Sequence, residues 1–325
     1  MPNPAPFISV VIPNWNGISY LAGCLDSLRA QSYRQFEVLV VDNGSTDGSD
    51  RLVSERYPEF RLEELGKNYG FAVACNEGIR RSNGDLIALL NNDAEADPDW
   101  LAALAEGAAS HPEAGFFACK ILLFDRREVI HSAGDFYCMD GVPGNRGVWQ
   151  RDEGQYDNKE YVLGACGAAS GWRRSLFEDV GLFDESLFMY CEDVDLSLRA
   201  QLRGYRCLYL PDARVYHRLS ATGGGETASF YCGRNLITVA VKNLPGSIFR
   251  RRWGAFVRSQ ALFAVESIRH YREKAARARL RGQVAGLLGI PRRLSERRAI
   301  QKSRRVPDSY LLSLLREPEP SLERS

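Results

Sequence analysis

Two acidic segments and one histidine have the types and spacing needed to bind a divalent cation and to move a proton. Asp93 ends the run Asn91-Asn92-Asp93, which directly follows the apolar run Leu86-Ile87-Ala88-Leu89-Leu90. Mg²⁺ and Mn²⁺ prefer oxygen ligands, and a bound diphosphate supplies several. His217 closes a short β-like segment and could add an imidazole ligand. The alternatives are that Asp93 caps a helix, a role for which Asp97 competes, and that His217 is an ordinary hydrogen-bonded histidine.

Asp42 ends a second apolar run and is followed by Gly44 and Gly48. A carboxylate at this point can accept hydrogen bonds from a base or a ribose, and the glycines allow close backbone approach. This pattern predicts a nucleoside site. The same residues also suit an Asx turn or a type I turn that caps the next helix.

The second acidic segment, Glu192 and Asp193, follows the aromatic-rich residues 183–190. A carboxylate on such a water-poor surface can take a proton from a hydroxyl nucleophile. The alternative is that both acids cap a helix and complement its dipole, which would lower their basicity. The glycine-rich residues 220–225 are interpreted as either a plain connector or a mobile lid.

The elements that must position these residues alternate between strand and helix patterns in the first half of the chain. Apolar runs begin near residues 8, 36, 60 and 86, and helical patterns lie between them. The series predicts an α/β fold with a mostly parallel central sheet flanked by helices. Because ligands bind beyond the carboxyl ends of such strands, we expect the polar clusters after residues 12, 41 and 90 to meet at one rim.

Composition restricts the class of protein. The 325 residues include 45% hydrophobic ones and carry a net charge of +1, which argues against disorder and against a generally basic nucleic-acid binder. The eight cysteines form no C-x-x-C pair, so reduced thiols are expected. We find no secretory signal and no apolar run near the ~18 residues of a spanning helix, so we expect a cytoplasmic protein.

Taken in order, these segments resemble the inverting family 2 glycosyltransferases with a GT-A fold, particularly the bacterial rhamnosyltransferase-like branch. The resemblance covers about residues 7 to 243. It is carried by the following segments: Val10 to Asn16, Val40 to Asp47, Asn68 to Ala72, Asn76-Glu77-Gly78, Leu90 to Asp93, Gly181 to Glu185, Glu192 to Leu196 with Arg199, and Tyr216-His217.

The resemblance implies roles for particular residues. Asp193 matches the general base and Glu192 its acidic neighbour. Asp93 matches the metal ligand of the D-x-D motif, whose first acid is here Asn91, and His217 can complete the site for Mg²⁺ or Mn²⁺. Trp172 would by family position lie near the acceptor, with a packed turn as the alternative. The donor site would be formed by Pro13, Asn14, Asn16, Asp42, Gly44, Asn76, Asn91 and Asn92.

The implied reaction is the transfer of a sugar, with L-rhamnose as one candidate, from a dTDP- or UDP-linked donor to a hydroxyl of a cell-surface polysaccharide or lipid-linked glycan. The alternative is a non-catalytic nucleotide-sugar-binding or scaffold protein of a glycan-assembly complex. A nucleotidyltransferase would need a basic loop after the first strand, where Asn14-Trp15-Asn16-Gly17 stands instead.

We predict a catalytic domain over residues 1–243 and a basic, mainly helical extension over 244–325. From 250 to 305 there are 17 Lys and Arg against 3 Asp and Glu, a local charge of +14 that leaves −13 for the rest. Val257, Ala261, Ala264, Val265 and Ile268 fall on one helical stripe. Such a stripe predicts peripheral contact with the inner face of the plasma membrane. The alternative is packing against the catalytic domain or a second subunit.

Overall fold

The first half of the chain folds as the predicted series of parallel strands and helices. The computed structural model describes residues 5–219 and 224–318. Every residue of the first strand is buried, as expected for a strand covered on both faces. The first helix buries Leu21, Cys24, Leu25 and Leu28, which share one helical face. The elements are β1 (Ile8–Asn14), α1 (Ile18–Arg29), β2 (Phe36–Asp42), α2 (Ser49–Arg56), β3 (Arg61–Glu64), α3 (Phe71–Arg81), β4 (Leu86–Leu90), β5 (Ala94–Ala96) and α4 (Trp100–Ser110).

The second half adds further strands to the same sheet and then continues as helices. The short β-like segment that His217 closes belongs to one long strand, residues 206–217, with a register shift between Leu210 and Arg214. The strands are β6 (Ala114–Leu123), β7 (Ile130–Ala133), β8 (Asp135–Cys138), β9 (Pro143–Asn145), β10 (Glu160–Val162), β11 (Ala169–Arg173), β12 (Arg206–His217) and β13 (Leu315–Arg316). The helices are α5 (Arg174–Val180), α6 (Glu192–Leu202), α7 (Gly225–Asn243), α8 (Gly246–Arg269), α9 (Lys274–Leu288), α10 (Ile290–Lys302) and α11 (Asp308–Leu314).

The central sheet has the order β10-β12-β6-β11-β4-β1-β2-β3. Strands β4, β1, β2 and β3 are parallel to their neighbours within this set, and β12 is parallel to β6. Strand β11 instead lies antiparallel between β4 and β6. Beyond α4 the chain no longer alternates between strands and helices. Parallel neighbouring strands need a helical crossover between them, so without regular crossovers an antiparallel strand such as β11 can form.

The later helices are joined to the rest of the chain by a buried ion-pair network. Asp195 on α6 pairs with Arg199 at 2.8 Å and with Lys242 on α7 at 2.8 Å. Lys242 also pairs with Asp184 at 2.7 Å, and Arg293 on α10 lies 3.6 Å from Asp184. Burial alone would raise the pKa of Asp195, but Lys242 and Arg199 hold that pKa well below its usual range. The network therefore ties α7 and α10 to α6, the helix that begins with Glu192 and Asp193.

The C-terminal segment contacts the strand-rich part of the chain again. Strand β13 pairs with β8 in a small sheet that also contains β9. Helix α7, which we placed in the catalytic domain, packs against α9 so closely that a Cβ on Gly282 would lie 2.1 Å from the Phe230 carbonyl oxygen. The boundary at residue 243 stays a prediction. Residues 220–223 of the expected connector or lid lie outside the described residues.

The predicted amphipathic stripe on α8 faces solvent. Val257, Val265 and Ile268 are exposed, whereas Phe256, Ser259 and Ser267 form the buried side of the helix. The alternative that this stripe packs against the catalytic domain is therefore wrong, because its apolar members point away from the described part of the chain. Among the described residues no helix is both long enough and apolar enough to cross a bilayer.

Candidate active site

The polar clusters after β1, β2 and β4 meet at one rim of the sheet, as predicted. Asn14 joins them: its Nδ2 donates to Asp42 Oδ1 at 3.0 Å, and its Oδ1 accepts from Asn92 Nδ2 at 2.7 Å. The parallel register that sets Asn14 opposite Asp42 makes these contacts possible. Hydrogen bonds among these buried side chains thus hold the ends of the three strands together.

A cavity of about 330 Å³ opens at this rim, and we call it the amide-lined cavity. Pro13, Asn14, Asn91 and Asn92 contribute to its wall, as expected for the predicted donor site. Aromatic rings form another part, where Phe188 and Tyr231 stack with centroids 4.8 Å apart. The other lining residues are Trp15, Asn43, Asn68, Gly70, Phe71, Met189, Gly224 and Thr227.

Three predicted donor residues line neither this cavity nor the neighbouring one and instead build the turns after β1 and β2. Asp42 is buried, and its second carboxylate oxygen accepts from the Ser45 backbone N–H at 2.9 Å. Asn16 Oδ1 accepts from the Thr46 N–H at 2.8 Å, which joins the turns after β1 and β2. Gly44 has φ +77°, and a Cβ there would lie 2.3 Å from Lys67 Cα, so this turn requires glycine. The Asp42 bond reaches the backbone three residues on, where an Asx turn reaches two, and Asp42 does not cap α2, whose N-cap is Gly48.

A second cavity of about 390 Å³ adjoins the first, with Asn91, Phe71 and Met189 on both walls. We call it the acidic cavity, because four carboxyl groups line it together with His131 and His217. The carboxyl groups belong to Asp93, Asp135, Glu192 and Asp193. The predicted metal ligands and the predicted base therefore share one space.

Asp93 and His217 form a pair that could hold a divalent cation. His217 Nε2 lies 3.1 Å from Asp93 Oδ1, although 124 residues separate the two in sequence. Asn91 Oδ1 is buried and receives no hydrogen bond from any described residue. The carboxylate and this buried amide oxygen line one cavity and are oxygen ligands of the kind that Mg²⁺ and Mn²⁺ prefer, and the imidazole could add a nitrogen ligand. The residues therefore fit the predicted ion.

His131, which the sequence did not single out, orients this histidine. Its ring stacks on that of His217, and the two Nδ1 atoms are 3.2 Å apart. Burial, and then the neighbouring His217, lower the pKa of His131 to about 3, so its ring is neutral at physiological pH. The contact leaves His217 Nε2 directed towards Asp93.

Asp193 lies at the start of α6 with both carboxylate oxygens held by backbone N–H groups. Gly167 donates to Oδ2 and Val194 to Oδ1, each at 2.8 Å. Burial outweighs these hydrogen bonds and raises the pKa of Asp193. The lowered basicity that an exposed helix start would impose is therefore not found, and the carboxylate is a stronger base than an ordinary aspartate.

Two further carboxyl groups surround the predicted base. Burial, and then Asp193, raise the pKa of Glu192 well above its usual range, and Glu192 Oε2 has no hydrogen-bond partner among the described residues. Asp135, another residue the sequence did not single out, accepts from Asn145 Nδ2 at 2.7 Å and from Ser132 Oγ at 3.2 Å. Burial, and then Asp193, raise its pKa to about 8. A water-poor space thus keeps acidic protons close to the base.

The backbone that leads into Glu192 is strained and is held by α7. Phe188, Tyr190 and Cys191 have φ values of +67°, +65° and +64°, which non-glycine residues rarely adopt. Asn235 Nδ2 lies within 3.0 Å of the carbonyl oxygens of Leu187, Met189 and Tyr190. We call this contact the Asn235 clamp. No sequence signal indicated it, because the amide and the loop are 45 residues or more apart.

Two further predicted site residues also lie outside both cavities. Trp172 is fully buried, stacks on Phe116 at 4.7 Å and donates its Nε1–H to Ser170 Oγ. The acceptor role is wrong and packing is its role, because a side chain with no exposed surface cannot contact an acceptor. Asn76 exchanges two hydrogen bonds with the backbone of Phe183 at 3.0 Å and lines neither cavity. It fastens α3 to the segment before α6.

Comparison with known proteins places this fold and site in a family. The model of "Glycosyl transferase family 2" matches residues 9–181. The chain therefore belongs to glycosyltransferase family 2, and its architecture is the GT-A fold.

Two curated relatives carry informative names. The chain is 34% identical over 228 residues to "O-antigen biosynthesis protein RfbC" of Myxococcus xanthus, a match that covers 67% of this chain and 18% of that protein. It is 31% identical over 245 residues to "N-acetylglucosaminyl-diphospho-decaprenol L-rhamnosyltransferase" of Mycobacterium tuberculosis, which covers 68% of this chain and 79% of that protein. The chain thus spans less than a fifth of the first relative's length and most of the second's.

Solved structures share the fold. A mannosyltransferase from Pyrobaculum calidifontis, in complex with GDP-Man and Mn²⁺, matches 97% of this chain and 88% of its own with a TM-score of 0.55 and 20% identity. GalNAc-T7, with UDP, GalNAc and Mn²⁺, matches 74% of this chain and 48% of its own with a TM-score of 0.61 and 17% identity. At these sequence identities the similarity shows a shared fold only.

Proposed function

We propose that this chain is a metal-dependent, inverting glycosyltransferase that moves a sugar from a nucleoside diphosphate to an acceptor hydroxyl. One observation carries the proposal: the Asp93–His217 pair and the half-buried carboxylate of Asp193 line the same cavity. That arrangement provides a cation site for the diphosphate and a base for the acceptor within one space.

Each residue has a defined part in the proposed reaction. Asp193 takes the proton of the acceptor hydroxyl as its oxygen attacks the anomeric carbon, and its raised pKa favours this step near neutral pH. The backbone N–H of Gly167 keeps the carboxylate oriented. Asp93, His217 and Asn91 would hold the ion, which when bound offsets negative charge on the departing nucleoside diphosphate. A single displacement of this kind inverts the anomeric carbon and needs no enzyme nucleophile.

The donor is proposed to occupy the amide-lined cavity, with its diphosphate towards Asp93. We propose L-rhamnose on dTDP as the first candidate, with a UDP-linked donor as the alternative, because one relative is named as an L-rhamnosyltransferase. The names of the two relatives also support a lipid-linked or cell-surface glycan as the acceptor.

A non-catalytic binding or scaffold protein remains the other candidate. Glu192, Asp193 and Asp135 are held in a cavity where burial disfavours their charged forms. Such an arrangement lowers stability, and a protein that only bound the donor would gain nothing from it. This favours the enzyme.

The test separates donor binding from transfer. Asp193→Asn should lower kcat by roughly 10²- to 10⁴-fold while thermal shifts with donor and Mn²⁺ stay near those of the wild type. Asp93→Ala should weaken the metal-dependent thermal shift as well. Asp212→Asn, at an exposed site on β12, is the matched control and should change neither quantity.

A thermal-shift panel of dTDP-, UDP- and GDP-linked sugars, with Mg²⁺ or Mn²⁺ and with EDTA, identifies the donor class. Transfer by Asp193→Asn at the wild-type rate would refute the base assignment. Equal donor shifts with the ions and with EDTA would refute metal-dependent binding.

A further inference from the structure

The hairpin of α8 and α9 leaves two apolar stripes facing solvent. On α8, Trp253 is 61% exposed, Val257 51% and Ile268 61%, although these side chains share one helical face. On α9, Val284 and Leu287 are each 55% exposed and Leu288 is 78% exposed. Soluble surfaces rarely group so many large apolar side chains without a partner. We call these two stripes, together with Val265, the apolar face.

The two helices are packed firmly against each other and against the rest of the chain, so the exposure of these stripes does not come from loose packing. Gln283 on α9 donates to the Gln260 carbonyl oxygen on α8 at 2.9 Å, and the Arg279 guanidinium lies 4.4 Å from the centre of the Phe263 ring. Phe256 is buried on the inner side of α8. Each helix thus has a packed inner side and an apolar outer side that faces solvent.

Positive charge surrounds the apolar face. The segment 250–305 carries a net charge of +14, whereas the remainder carries −13. Arg251, Arg258 and Arg269 lie on exposed positions of α8, and Arg281 and Arg292 are exposed on α9 and α10. Part of this charge is neutralised internally, because Arg269 pairs with Glu266, Arg281 with Glu226 and Arg292 with Glu296. The exposed arginines are enough to give this side of the molecule a positive character.

We propose that the apolar face docks on an anionic lipid bilayer, with α8 and α9 lying in the interface. Apolar side chains next to arginines match an acyl boundary next to anionic headgroups. A second copy of the chain fits less well, because pairing through this face would bring two +14 segments together. Docking itself does not depend on the proposed reaction; the corollary that it brings the acidic cavity to a lipid-linked acceptor rests on the proposed function.

The experiment is flotation of the full chain with vesicles of phosphatidylcholine alone or mixed with phosphatidylglycerol. The wild type should float with the anionic vesicles, less with the neutral ones, and less as salt is raised. The variant Val257→Ser/Val265→Ser/Ile268→Ser should partition about 100-fold less, because three exposed side chains lose their apolar contact with the bilayer. These positions are exposed, so the fold should be retained.

Two further variants separate apolar from electrostatic contributions and exclude a general effect. Arg251→Gln/Arg258→Gln/Arg269→Gln should lower partition into anionic vesicles by about 100-fold and leave partition into neutral vesicles nearly unchanged. Phe7→Ser/Trp149→Ser removes exposed apolar side chains from another surface and should float like the wild type.

Flotation of the α8 serine variant at the wild-type level would overturn the proposal. It would also be overturned if sedimentation showed a wild-type dimer that this variant converts to a monomer, because the face would then join two copies. Donor-dependent thermal shifts, measured on the same variants, should equal those of the wild type. A variant that loses flotation but keeps the donor-dependent thermal shift tests docking alone, so the result does not depend on the proposed function.

Discussion

Removal of the Asn235 clamp gives the sharpest test of how the base is positioned. Asn235 is fully buried on α7, and its Nδ2 lies 2.7 Å from the Tyr190 carbonyl oxygen and 2.9 Å from that of Met189. Tyr190 and Cys191 are held at positive φ immediately before Glu192 and Asp193. Without the amide, that segment can relax to a more favourable backbone conformation, and the start of α6 will move with it.

The magnitude follows from the number of bonds lost. An amide has two N–H hydrogens, and a buried carbonyl left without a donor costs about 1–3 kcal/mol. Relaxation of the strained residues returns about 1–3 kcal/mol for each one that leaves the left-handed region. We therefore expect Asn235→Ala to lower the free energy of unfolding by about 2 kcal/mol. A displacement near 1 Å at Asp193 would lower kcat by about 100-fold.

The assay compares kcat and donor KM with stability measured by denaturant unfolding. Asn235→Asp keeps the shape and the contact from Arg234 Nε at 2.9 Å but replaces the donor with an acceptor, so it should lose as much activity as Ala. Gln283→Ala is the matched control, because its amide donates to Gln260 on α8 and not to the loop. It should lose stability and keep kcat. If Asn235→Asp were fully active at an assay temperature well below its Tm, packing alone would hold the loop.

Three other outcomes follow from burial and close packing. Trp172→Ala should lower the free energy of unfolding by about 3–5 kcal/mol and leave the acceptor KM unchanged; a selective rise in that KM would restore the acceptor role. Asp135 retains its proton in the fold up to about pH 8, whereas the unfolded chain loses it near pH 4, so wild-type stability should fall as pH rises through this window. Asp135→Asn should flatten that slope in thermal unfolding at pH 5 and pH 8, and an unchanged slope would contradict the raised pKa. Gly282→Ala should cost about 1–3 kcal/mol by forcing α7 and α9 apart, whereas Gly254→Ala, with open space around it, should not destabilise in the same denaturant assay.

The accuracy of the predictions made from the sequence differs from one element to the next. Strand β1 and helix α6 begin at the predicted residues and end within two residues of the predicted ends, because an unbroken apolar run and a helical pattern mark them locally. The sequence also placed Asn14, Asp42 and Asp93 at one rim, since parallel strands present their carboxyl ends on the same side. Trp172 was misplaced because a strand at the centre of the sheet buries both faces, and its sequence alone does not tell a core tryptophan from one in a cleft.

What the sequence by itself determined is the order of strands and helices, the family, and the types of residue available for the chemistry. Only the tertiary structure decided which carboxyl groups are near each other, how deeply they are buried, and which side of α8 faces solvent. Asp135 and Asp193 belong to different elements, and the raised pKa of each depends on burial by residues far away in the chain. Local periodicity reports the face of an element, whereas burial and Coulomb interaction depend on distances in space that only the folded chain sets.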